Sequence, residues 1–140
     1  MTTSAFVGDF TISVATVDSP ASYDAVPEVI SISGVGQTNE LIDATHFGSA
    51  GSREYIGGLA DGQEISVECN YIQNNTVQER LITDVSSKNT VNIQVVATDS
   101  SPQSSYTFAA AAIGWTINPA VDDRNTITFV WKISGAITVA

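Results

Sequence analysis

Basic residues are scarce in this chain. Five lysines and arginines stand against fifteen aspartates and glutamates in 140 residues, for a formal net charge of −10. Sequence-independent affinity for DNA or RNA comes from cations that displace counterions from phosphate, so tight nucleic-acid binding is not expected. Cysteine occurs once, at Cys69, and histidine once, at His46. The first excludes an intrachain disulfide framework, and together they leave no set of soft ligands for a metal. No segment approaches the roughly 20 consecutive apolar residues that span a bilayer as a helix. The opening MTTSAFVGDF has neither the basic start nor the apolar run of a secretory signal, so folding in the cytosol is expected, with later export inside a particle compatible. Charged residues make up only 14% and hydrophobic ones 43%. The remainder is rich in Ser, Thr, Asn and Gln, a balance that suits an all-β domain with polar, weakly charged faces.

What the chain has is alternation. FTISVATV (10–17), EVISISG (28–34), GQEISVECNYI (62–72), VNIQVVAT (91–98) and TITFVWKI (126–133) each set apolar against polar residues with period two. That period means antiparallel strands with one buried face. In the best of them Ile65, Val67, Cys69 and Tyr71 face one way, and Glu64, Ser66, Glu68 and Asn70 the other. ELIDATHF (40–47) is a less regular strand. FAAAAIGW (108–115) is assigned to a strand of small side chains on its flanking β-branched and aromatic residues and Gly114. Pro20 and Pro27 bracket what reads as a loop. Between the strands, NTVQERLITDVSSK (75–88) has helical spacing, with Val77, Leu81, Ile82 and Val85 on one face and Thr76 with Glu79 as a capping box. The fold class expected is mainly β: an antiparallel sandwich or barrel with one flanking helix, in a single domain over residues 1–140. Residues 1–9 and 47–52 are expected to be flexible or ordered by assembly.

Reactive constellations are hard to assemble from these residues. His46 would need a nucleophile and an orienting acid. Asp43 and Thr45 are its neighbours in sequence, and in a strand both point to the opposite face. Glu64 and Glu68 share a face but lie roughly 13 Å apart along a strand, beyond the roughly 5–9.5 Å of paired catalytic carboxylates. GGLADG lacks the lysine and hydroxyl of a phosphate loop and precedes a strand. It reads as a turn, with Gly57 and Gly58 supplying unusual backbone angles and Asp61-Gly62 at a tight corner. DDRN (122–125) reads as the turn before the last strand. No catalytic, cofactor-binding or metal-binding residue is expected.

The order of these pieces resembles the major tail tube protein of long, flexible-tailed bacteriophages. A strand ending in a D-x-T element (Asp43, Thr45) leads to a Gly/Ser-rich tip. There follow Glu54, Ile56, Gly58, Leu59, Asp61, Gly62 and Glu64, then Asn70-Tyr71 and a capped helix. The similarity covers about residues 28–88, with Gly57 standing where proline is expected. The resemblance implies a structural subunit whose six-membered rings stack into a virion tail. DNA would pass through that conduit during genome ejection without being held. It implies assembly in the host bacterial cytoplasm, partners among tape-measure and tail terminator or tip proteins, no membrane and no cofactor. Under it, Phe47, Gly48, Ser49, Ala50, Gly51 and Ser52 form an inter-ring loop, and Glu64, Ser66, Glu68 and Asn70 face the lumen. The alternative is a stand-alone β-sandwich binding or adhesion module. That would want exposed aromatics on one face, whereas Trp115 and Trp131 fall in apolar-face patterns.

Overall fold

The computed structural model describes residues 10–16, 19–97 and 104–140; the expectation for residues 1–9 lies outside them. Strands β1 (Phe10–Thr16), β2 (Ser19–Ala25), β3 (Val29–Ser33), β6 (Glu64–Asn70), β7 (Thr90–Ala97), β8 (Ser105–Asn118) and β9 (Thr126–Val139) form one antiparallel sheet. Its order is β2-β1-β7-β8-β9-β6-β3. β4 (Gln37–Asp43) and β5 (Tyr55–Gly62) pair separately as a hairpin, and α1 spans Thr76–Ser86. The fold is thus mainly β and antiparallel with one helix, as the period-two patterns imply.

The core explains why the sheet curls. Ile12 and Val14 of β1 share one buried cluster with Ile65, Val67 and Cys69 of β6, near the opposite margin of the sheet. Ile93, Phe108, Ala110, Ile127, Phe129 and Trp131 fill the space between. The rings of Phe129 and Trp131 stack with centroids 5.8 Å apart. Only a sheet bent around its apolar face brings these side chains together.

Helix α1 packs on that same face. Leu81 is wholly buried, and Val77 and Ile82 pack against the cluster in part. The cap is one residue earlier than the capping-box reading: the Asn75 side chain accepts from the amides of Val77 and Gln78, both at 3.1 Å. Gln78 is buried, which apolar spacing did not foresee. Its carbonyl oxygen accepts from the Ile72 amide at 3.0 Å, and its nitrogen donates to the Asn70 carbonyl at 2.8 Å. It therefore satisfies backbone groups left where β6 stops. Arg80 ties the helix to the other margin, bonding Asp24 of β2 and donating to the Val14 carbonyl at 3.0 Å.

Several boundaries differ from the sequence reading. The supposed loop between Pro20 and Pro27 contains β2, which tolerates proline because it is an edge strand with one row of amides unpaired. GGLADG is not a turn: all six residues lie within β5, and neither Gly57 nor Gly58 has positive φ. Gly62 is needed for proximity, since a Cβ there would sit 2.6 Å from the Ile133 side chain and carbonyl oxygen. Tyr71 is not in the core: β6 ends at Asn70, and Tyr71 is 38% exposed. The 121–123 segment does bend ahead of β9, as the DDRN reading expected.

Burying a leucine-sized side chain is worth about 1.5–3 kcal/mol, more than an 11-residue helix gains alone. Leu81→Ala should therefore lower unfolding free energy by about 2–5 kcal/mol in urea titration. An unchanged midpoint would remove α1 from the core.

Candidate assembly surfaces

Two surfaces stand out once the core is accounted for. The first is the β4–β5 hairpin. Its register runs from Gln37 opposite Gly62 to Asp43 opposite Tyr55, with an irregularity between Asn39 and Leu41. Every described residue of β4 is exposed. Leu41, Ile42, Tyr55, Ile56 and Leu59 are exposed by 48–81%, and Phe47 at the tip is completely so. Such side chains normally form a core, and here the hairpin has none to join.

The hairpin is nonetheless firmly built. At its root Lys132 donates to the Gly62 carbonyl and stands 3.4 Å from Asp61. Gly34, at φ +87°, lets β3 turn away where a Cβ would overlap the Glu64 carbonyl. At its neck the D-x-T element forms a clamp. The Thr45 amide donates to Asp43 Oδ1 at 2.9 Å, the Glu54 amide donates to Thr45 Oγ1 at 2.9 Å, and the Ala44 amide donates to the Glu54 carbonyl. The Thr45 hydroxyl and then its amide hold the Asp43 carboxyl below its ordinary 3.8. Beyond the clamp, Phe47–Ser49 form a short 3-10 turn, and Ala50 and Gly51 take positive φ to reverse the chain. Phe47, Gly48, Ser49, Ala50, Gly51 and Ser52 thus make up the apex.

The second surface is the face of the large sheet turned away from the core. Register places Glu64 opposite Lys132, Ser66 opposite Val130, Glu68 opposite Thr128 and Asn70 opposite Thr126. Ser31 and Ser33 of β3 lie beside Glu68 and Ser66. The same face continues through Thr116, Ala111 and Ala109 of β8 to Asn92 and Gln94 of β7. Short polar and alanine side chains predominate on it, with Glu64, Glu68, Lys132 and Val130 among them. Glu64, Ser66, Glu68 and Asn70 do share it, as alternation required. Two features were not legible: Lys132, opposite Glu64 in register, turns its ammonium to Asp61 and the Gly62 carbonyl, and the Asn70 amide oxygen is enclosed without a hydrogen-bond partner among the described residues.

Groups with chemical potential are scattered. Cys69 is buried, and burial foremost pushes its thiol up to about 11, the Gln78 amide pulling weakly the other way. A thiol held protonated is a poor nucleophile and metal ligand. His46 Nδ1 lies 3.9 Å from Glu54 on the exposed neck. Among the described residues no cluster of three or more His, Cys, Asp or Glu could hold a metal ion, and no helix is long and apolar enough to cross a membrane. Trp131 is buried, whereas Trp115, opposite Phe129 on the core side of the sheet, is 39% exposed where β8 runs past the helix-covered core.

A scan against family models finds no match, and neither does a search of curated proteins. Solved structures do share the fold. A chain of the anti-feeding prophage baseplate, 6-fold symmetrised, superposes with a TM-score of 0.78 at 13% identity, covering 100% of this chain and 97% of its own. A chain from the tail of an empty gene transfer agent particle, refined with C6 symmetry, gives 0.75 at 13% identity over 94% and 95%. The SPP1 tail tube gives 0.70 at 10% identity over 94% and 76%. At these identities the shared property is the fold, and it spans nearly the whole chain, hairpin included.

The clamp yields a direct expectation. Thr45→Val removes the acceptor for the Glu54 amide, so that amide should exchange with solvent at least tenfold faster while global melting barely moves. Asp43 acts in the same sense with pH: its carboxyl is depressed on folding, so its contribution is complete above the ordinary 3.8 and is lost as pH falls through the lower folded value. Unaltered Glu54 exchange in Thr45→Val would show that the neck is held by other contacts.

Proposed function

We propose that this protein is a structural, non-enzymatic subunit of a phage-type tail tube. Copies form six-membered rings, and the rings stack into a hollow conduit through which DNA leaves a virion. The observation that carries the reading is the hairpin: a rooted arm whose large apolar side chains stay exposed and outside the buried core cluster of the described residues. An exposed patch of that kind marks a protein contact. The likeness in fold to chains of the SPP1 tail tube and of C6 and 6-fold symmetric particles supports the choice of a ring over other oligomers. Terminator, tip and tape-measure proteins are the partners this role entails; a chain in the structure of the sheath/tube terminator of an extracellular contractile injection system has a similar fold, with a TM-score of 0.74 at 13% identity over 99% of this chain and 98% of its own.

The polar sheet face suits the inner wall. A conduit for DNA works best if it neither grips phosphate nor offers apolar adhesion. Serine, threonine, asparagine and alanine with few cations meet both conditions. Glu64 and Glu68, repeated around each ring, would repel phosphate within a Debye length of roughly 8 Å. The stand-alone binding module is less well supported, since the exposed Trp115 and Tyr71 lie on different strand ends and do not form one broad aromatic face with the hairpin residues.

Electron microscopy of the concentrated, purified chain should show rings or tubes. Leu59→Asp should leave melting within about 0.5 kcal/mol of the parent, since the residue is exposed, yet abolish those assemblies. Tubes of normal appearance from that variant would contradict the role of the hairpin. Glu64→Lys with Glu68→Lys should preserve the fold and slow or stall DNA release from assembled particles. Release at the normal rate at every salt concentration would rule out an acidic lining at β6.

A further inference from the structure

We infer that Arg80 is a latch through which the edge strand β2 holds helix α1 closed over the core. The latch belongs to the single subunit and does not depend on the tube reading. Helix α1 lies over the end of the core that holds Cys69, yet its buried residues are only Gln78, Leu81 and Asp84. Two of those three are polar. A cover with so little apolar contact opens locally, ahead of global unfolding, unless polar links fasten it. Gln78 supplies one link, to the end of β6. Asp84 and Arg80 supply the other.

Asp84 is an unfavourable residue where it stands. Its side chain is 8% exposed, and the last turn of α1 in which it lies has no basic residue. Enclosure and the negative end of the helix dipole both disfavour a carboxylate there. Oδ1 accepts from the Asn89 side-chain amide at 3.1 Å, whereas Oδ2 is enclosed with no hydrogen-bond partner among the described residues. The cation facing it is Arg80, whose equally enclosed Nε stands 4.0 Å away. Among the described residues Arg80 is the one ion-pair partner of Asp84.

β1 and β2 keep that guanidinium in place. Its Nη1 bonds the Asp24 carboxylate, and its Nη2 donates to the Val14 carbonyl at 3.0 Å. Val14 and Asp24 stand opposite each other in the β1–β2 pairing, close to where its register slips between Ala15 and Thr16. On the far side the contacts continue. The Asn89 amide donates to the Asp84 carbonyl at 3.0 Å, and the Asn89 carbonyl accepts from the Ala112 amide of β8 at 3.3 Å. One polar relay therefore runs from β2 through α1 to β8. When Asp24 lets go, Arg80 swings towards water and Asp84 is left as an enclosed anion without a counter-charge. Losing one partner of such a pair costs far more than the intact pair contributes. The strain is relieved when α1 lifts, and a helix of 11 residues is too short to persist half docked. The state of the edge strand thereby sets how often this end of the core is uncovered.

Cys69, the chain's one cysteine, reports the opening. It is fully buried, with Gln78 Nε2 3.7 Å from its sulfur, so a thiol reagent reaches it when α1 lifts. The test follows the labelling rate of the intact chain with an aromatic disulfide reagent at one pH, beside its urea midpoint. Asp24→Asn should speed labelling about two- to fivefold, as suits a half-exposed ion pair, and leave the midpoint nearly unchanged. Arg80→Met should speed it by at least about tenfold, and adding Asp84→Asn to Arg80→Met should recover most of the parent rate. Asp24→Asn labelled at the parent rate, or labelled faster only in proportion to a lower midpoint, would overturn the latch. So would an Arg80→Met chain whose labelling Asp84→Asn fails to slow. Should Arg80→Met not fold, Asp24→Asn alone decides.

Discussion

A sheet has two faces and this one buries only one of them. Seven strands bend around a single apolar cluster, and that cluster is complete without β4 and β5. The constraint that follows is geometric. Among the described residues, the hairpin's leucines, isoleucines and aromatics stay outside that core and exposed. Both surfaces, the hairpin and the polar sheet face, fit the proposed role as one wall segment of a larger object.

Most strands of the large sheet were legible because burial on one face imposes period two, which β6, β7 and the first half of β9 follow, whereas β8 with its alanine run does not. The helix was legible in the spacing of Val77, Leu81 and Ile82. What failed did so for local physical reasons. β2 was hidden because proline argues against strands in general, whereas an edge strand leaves amides unpaired and accepts it. GGLADG imitates a turn in composition, but Gly62 is there so that β5 can approach Ile133. Gln78 could not be found by searching for apolar residues, because it serves the backbone that β6 leaves unpaired. A buried glutamine one turn before a core leucine is a signal only once the neighbouring strand end is known.

The assembly surfaces were half visible. Glu64, Ser66, Glu68 and Asn70 share a face, as alternation required, but the cross-strand lysine beside Glu64 belongs to a segment sixty-eight residues away and no local pattern reveals it. The tip stands out in the sequence for its glycine and serine content, while Leu41 and Phe47 read as part of an irregular strand and Leu59 as part of a turn. Their significance is that they are uncovered, which is a property of the fold. The D-x-T element shows the converse: a three-residue motif whose meaning, an amide clamp across the neck, is fully local and needs only the partner strand to complete it.

The central claim is that the hairpin's apolar side chains are buried by other copies of the same chain. Hydroxyl-radical footprinting reads side-chain exposure residue by residue, and it can be applied to dilute and concentrated samples of the unmodified protein. The account predicts that Leu41, Phe47, Tyr55 and Leu59 react readily when dilute and are several-fold protected in assemblies. Assemblies in which these four react as fast as in the free subunit would contradict it.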